Sequence, residues 1–234
     1  MDASRSAPGS WVARLRGRPV ASLLDAPRST PRHSWLWMRW DLPLRVVPML
    51  TVPLLLVALT PLSGRTLGLS LNGAWWQLLL AALLGPLMGW LSWWYRRRYV
   101  RRVVVPTRAD NLLQGVYYVV LNAPAEELLF RGLLLGWLQG ATGTPIAWTL
   151  STLVFGLYHI PARWGGAAVA GVTIAGGVFG ILFLLGPGSG SLLLPTVVHA
   201  FATCGFLSAG AWLAYNHEVG RAQVYGAETR DVKR

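Results

Sequence analysis

Six apolar runs organise the sequence, at about 47–62, 74–95, 112–138, 145–160, 167–186 and 192–215. Each approaches the roughly 20 residues that carry an α-helix across the hydrocarbon of a bilayer. A strand with free edges cannot satisfy its backbone in lipid, so every run predicts a helix. Turn residues punctuate the connectors: Pro-Leu-Ser-Gly at 61–64, a Gly/Thr stretch closing on Pro145, Pro161-Ala162-Arg163, and a Gly/Ser-rich loop at 186–191. The predicted fold is therefore all-α, a polytopic transmembrane helical bundle of about six spans. Residues 1–46 read as a basic cytoplasmic tail, disordered over 1–30, with a Trp-rich interfacial anchor at 35–40. Residues 47–215 form the helical domain, and 216–234 a second cytoplasmic tail. The first apolar run begins too far from the N-terminus for a signal peptide.

Composition agrees. The 234 residues are 53% hydrophobic and only 13% charged, against about 25% charged in soluble domains. The net charge of +12 comes almost wholly from arginine, Lys233 being the only lysine. A nucleic-acid partner would need a soluble basic domain, and no stretch of the sequence supplies one. The positive-inside rule accounts for the arginines instead. With six spans, eight arginines of the N-terminal tail, six of the second connector, Arg163 and four cations of the C-terminal tail share one side, leaving Arg65 alone on the other. That split predicts both termini in the cytoplasm of a multi-pass protein of the cell membrane. The single Cys204 excludes an intrachain disulfide framework and a Cys-based metal cluster.

Only nine residues are acidic. Seven of them (Asp2, Asp25, Asp41, Asp110, Glu218, Glu228 and Asp231) lie outside or at the edges of the apolar runs. The other two, Glu126 and Glu127, are adjacent inside the third run, with Arg131 following. Ionisable groups at membrane depth mark function by default, because burying them is costly. Glu127 and Arg131 are four apart and share a helix face, so they can pair. Glu126 points about 100° away and lacks that partner. One anchored and one free carboxylate suit a general base held by its neighbour, although an ion pair that merely ties helices together has the same pattern. Pro124 predicts that the run breaks at 122–124, leaving both glutamates near the N-terminus of a new helical segment. His159 and His199 also lie in apolar runs, whereas His33 and His217 lie in the tails. No Ser-His-Asp set is predicted, because no aspartate is expected to be buried.

Three signatures thus follow in order: Glu-Glu-x-x-x-Arg (Glu126, Glu127, Arg131), Phe-x-x-x-His (Phe155, His159), and a histidine after Gly190-Ser191-Leu192 (His199). Together, over roughly residues 110–210, they resemble the CPBP family, the CAAX-protease and bacteriocin-processing intramembrane endopeptidases that include the Ras-converting type. That family carries an asparagine four residues after the last histidine, where this chain has Thr203, a side chain with one hydroxyl donor in place of two amide donors. The resemblance implies hydrolysis of a peptide bond in a membrane-associated protein or peptide. It implies Glu126 as the base for a water that His159 orients, His199 with Thr203 as oxyanion stabilisers, and Arg131 as the neutraliser of Glu127. Two histidines and a glutamate can also hold zinc with an open position, but no HExxH is present and the ligands come from three runs, so a metal-free mechanism is the expectation. A proton-coupled transporter and a catalytically silent scaffold or immunity protein are the alternatives.

The reading contains one tension. At about 1.5 Å per residue, Glu126 and His159 lie about 20 Å from the outer face but His199 only about 10 Å, if the last span begins at 192. Convergence of the three predicts that the 186–191 loop dips into the membrane ahead of Pro195.

Overall fold

The computed structural model describes residues 21–162, 164–188 and 190–231, with 224–231 by backbone alone. Most of the segment predicted as disordered (1–20), Arg163 of the fourth connector, Ser189 of the predicted dipping loop, the Arg230 side chain, Lys233 and Arg234 lie outside the described residues. The fold is helical: α1 is Pro31–Leu59 and α2 is Ala74–Val100. A long α3 runs over 108–142, followed by α4, Thr144–Tyr158, α5, Gly166–Leu184, α6, Leu193–Leu207, and α7, Ala209–Asp231.

Among the described residues three helices, α1, α2 and α5, are singly long and apolar enough to cross a membrane, and α6 with α7 qualify together around a 47° bend. The match to six predicted spans is therefore not helix for helix. The helices α4 and α6 have 15 residues each, short of the roughly 20 a full crossing needs. The last predicted span, 192–215, is broken at Ser208. The outward face of α2 carries exposed Leu79, Leu83 and Trp90, as a lipid-facing surface requires.

At the N-terminal end the prediction is corrected. Residues 21–30 are ordered, with a short strand β1, Arg28–Ser29, pairing in parallel with β2, Val105–Pro106. Glu218 of α7 accepts a hydrogen bond from the Leu23 amide at 3.0 Å. The first helix begins at Pro31 and passes through residue 46 without interruption.

The predicted break at 122–124 is also corrected, because α3 continues through Pro124. Proline cannot donate to the carbonyl four residues back. The turn before it widens instead, over Tyr118–Asn122, and the Ala123 amide bonds the Tyr118 carbonyl five residues back. A second wide stretch follows over Leu128–Trp137. The same device occurs in α1, where the widened turn Leu42–Val46 directly precedes Val47 and Pro48. Such π-helical turns are frequent at functional sites.

Two close backbone approaches fix the helices that matter. A Cβ at Gly205 of α6 would lie 2.1 Å from the Gly89 carbonyl oxygen of α2, so these helices meet through their backbones, as small residues permit in membranes. A Cβ at Gly136 of α3 would lie 2.4 Å from the Thr66 carbonyl oxygen. The connector between α1 and α2 therefore lies against α3. It also covers the start of α6, where the Leu192 amide donates to the Gly68 carbonyl at 3.1 Å. Leu67, Ser191 and Leu194 are fully buried there. The helix carrying His199 thus starts inside the protein rather than at its surface.

Candidate active site

The two glutamates leave α3 in different directions. Glu127 is fully buried, and its Oε1 lies 3.1 Å from Arg131 Nη1 and accepts from His199 Nδ1 at 2.7 Å. Arg131 is fully buried too, with Nη2 donating to the Gly176 carbonyl at 2.7 Å and its guanidinium 4.3 Å above the Phe155 ring. A cation over an aromatic face gains from the ring quadrupole once water is excluded. Gly176 is required at this point, since a Cβ there would meet Phe155 at 2.6 Å and Arg131 at 3.2 Å.

Glu126 faces a cavity of about 900 Å³, which is also lined by His159, His199, Thr203, Tyr158 and Arg45. It is not the unpartnered carboxylate that the spacing alone predicts. Arg45 Nη1 donates to its Oε1 at 2.6 Å, and His199 Nε2 lies 3.5 Å from its Oε2. His199 accordingly stands between the carboxylates, one nitrogen towards each. Its ring stacks on Phe179, with centroids 4.6 Å apart and planes 17° apart.

His159 ends α4. Its Nδ1 donates to the Phe155 carbonyl at 2.7 Å, which leaves Nε2 as the nitrogen free for the cavity. The Phe-x-x-x-His spacing thereby gains a physical meaning. Phe155 supplies the carbonyl that sets the tautomer of His159, and its ring lies 4.8 Å from His159, 5.8 Å from His199 and under Arg131. Thr203 is half-buried and lines the same cavity one turn after His199.

The structure thus brings Glu126, Glu127, Arg131, His159, His199 and Thr203 to one place. Sequence reasoning missed Arg45, counted as a tail cation, and the groups that hold it. Arg45 is bidentate to Asp41, with Nε to Oδ1 at 2.6 Å and Nη2 to Oδ2 at 2.5 Å. It also donates to Asn122 Oδ1 at 2.5 Å, to Tyr158 Oη at 3.1 Å and to Tyr117 Oη at 3.3 Å. A signal was present, since Asp41 and Arg45 repeat the four-residue acid–arginine spacing of Glu127 and Arg131. The expectation that no aspartate is buried is corrected as well. Asp110 is fully buried, although its partners are Ser29 at 2.5 Å and Gln114 at 2.8 Å rather than a histidine.

A guanidinium lies on each glutamate, Nδ1 of His199 is committed to Glu127, and Nδ1 of His159 to a carbonyl. Among the described residues, no group of three His, Cys, Asp or Glu side chains has the geometry to hold a metal ion.

No curated protein and no solved structure matches the chain. Residues 108–205 match the model of the Rce1-like family, described as type II CAAX prenyl endopeptidase Rce1-like. The matched stretch holds both glutamates, Arg131, both histidines and Thr203, and it leaves out Asp41 and Arg45. Over that stretch the chain is similar to the type II CAAX prenyl endopeptidases, the family to which its three ordered motifs point.

Proposed function

We propose that the protein is an intramembrane endopeptidase, multi-pass in the cell membrane with both termini cytoplasmic, that hydrolyses a peptide bond of a membrane-associated protein or peptide without a metal. The observation that carries this reading is the division of the polar cluster. Glu126, His159, His199 and Thr203 line one cavity, while Glu127 and Arg131 lie behind it.

In this reading a water between Glu126 and the Nε2 of His159 attacks the scissile carbonyl carbon. Glu126 Oε2 takes the proton from the water, and the carbonyl π electrons move to oxygen. The developing oxyanion meets the Thr203 hydroxyl and the Nε2 of His199, which donates when the ring, held at Nδ1 by Glu127, carries both protons; such donors help because they are already in place. Glu126 then returns the proton to the leaving nitrogen as the C–N bond breaks, giving an acid and an amine. The buried Glu127–Arg131 pair fixes His199 without reaching the cavity.

Cleavage of peptides that mimic membrane-anchored tails, by purified protein in detergent and in vesicles, tests the reading. Wild-type protein is expected to cut, and Glu126→Gln to stop cutting with little change in melting midpoint, because the amide oxygen still accepts from Arg45. Cleavage by Glu126→Gln at the wild-type rate would remove Glu126 as the base. Proton-coupled flux without hydrolysis would favour a transporter, and neither activity a scaffold.

A further inference from the structure

We infer that Arg45, contributed by α1 from outside the stretch that resembles the family, is the positioning residue that presents Glu126 to the reacting water. The inference rests on the hydrolase reading and adds a requirement to it. The site is incomplete without the first helix.

The guanidinium is fixed on every side. Its Nε and Nη2 form a fork on Asp41, a bidentate geometry that orients as well as binds. Nη2 also meets Asn122 and Tyr117, and Nη1 meets Tyr158. Tyr117 itself donates to Asp41. These contacts come from α1, α3 and α4, so the group cannot swing without losing several of them. Its remaining direction is towards Glu126 Oε1, at 2.6 Å.

This contact sets the carboxylate plane. With Oε1 held by Arg45, Oε2 becomes the oxygen that faces His199 and the cavity. Glu126 is one turn beyond the widened stretch Tyr118–Asn122, and Arg45 lies within the widened turn Leu42–Val46. Each helix therefore departs from regular winding at the residue it contributes to the pair or within a turn of it. Lysine cannot replace this arrangement. A single ammonium cannot fork onto Asp41 and reach Glu126 in one fixed plane.

The test compares kcat and KM of wild type, Arg45→Lys, Arg45→Gln, Arg45→Ala and the double variant Asp41→Asn with Arg45→Gln, on a peptide that the wild type cleaves. Misplacement of a reacting group by about 1 Å costs on the order of 100-fold. Arg45→Gln and the double variant are expected to lose about that factor in kcat, with KM close to wild type. Arg45→Lys is expected to retain more kcat than Arg45→Gln, and added guanidinium ion to raise the kcat of Arg45→Ala. The double variant carries no stranded charge from the Asp41 pair, so it keeps the test open if a single variant folds poorly. Wild-type kcat in the double variant, a loss confined to KM, or no response of Arg45→Ala to guanidinium would each overturn the inference and leave the hydrolase reading standing. A wild type that cleaves nothing would overturn both.

Discussion

His199 Nδ1 and Glu127 Oε1 are 2.7 Å apart across 72 positions of sequence, and the same oxygen lies 3.1 Å from Arg131 Nη1. One carboxylate oxygen therefore serves both a buried cation and the histidine of the last motif. Fixing the core and orienting the site are a single interaction here.

Glu127→Gln is consequently expected to harm both stability and activity. Removing one partner of a buried pair costs about 3–5 kcal/mol, because Arg131 is left charged with no water to solvate it. Replacing both partners, Glu127→Gln with Arg131→Leu, should recover part of the melting midpoint without recovering cleavage, since His199 still lacks its anchor. Melting curves in detergent alongside peptide cleavage decide this. Equal melting of Glu126→Gln and Glu127→Gln would refute the division between them.

Cleavage is expected to persist in protein stripped of transition metals. A guanidinium already lies against each glutamate, and among the described residues no group of three His, Cys, Asp or Glu side chains has metal-holding geometry. Elemental analysis of active protein, with and without a strong chelator, measures it. Stoichiometric zinc lost together with activity would contradict the metal-free mechanism.

The charge asymmetry predicts opposite sides for Arg65, in the connector before α2, and Arg98, in the last turn of α2. Arg45 no longer counts among the tail cations, but the excess on the inner side survives its removal. Reporter fusions at the two positions should give opposite readings. A common side would break the proposed topology.

Much of the site was legible because charge is rare in an apolar chain. Glu126, Glu127, Arg131, His159 and His199 stand out against their surroundings and needed only the fold to bring them together. Arg45 was hidden by the opposite circumstance: among eight arginines before the first apolar run, nothing in composition separates the one that turns inward. The continuity of α3 was hidden too, since a proline marks a break equally well whether the preceding turn unwinds or widens. The depth mismatch of His199 came from taking residue 192 as the outer end of the last span. The burial of Ser191 and Leu194 under the first connector depends on Gly68 and Gly136, whose close approaches no local pattern reveals.

Gly205→Ala is expected to destabilise the protein by about 1–3 kcal/mol, the usual cost of overpacking. The obstacle is the Gly89 carbonyl oxygen, 2.1 Å from the added carbon, and backbone cannot rotate aside as a side chain would. Because α6 must move away, His199 should shift with it, and cleavage should fall at temperatures where the variant is still folded. A variant as stable and as active as wild type would show that α2 and α6 do not touch in this way.

The fork between Asp41 and Arg45 bears on biogenesis. Arg45 is synthesised 81 residues before Glu126, so α1 reaches the translocon carrying a guanidinium whose later partner has not yet been made. Asp41, four residues back on the same helix, gives α1 an internally neutral pair during that interval and lowers the penalty of delivering a lone cation to the bilayer. On this hypothesis Asp41 acts as a chaperone built into the segment. Asp41→Asn should then reduce the amount of folded protein recovered from membranes more than it reduces the activity of each folded molecule. Equal recovery of variant and wild type, measured by quantitative blotting against activity, would assign Asp41 to the finished site alone.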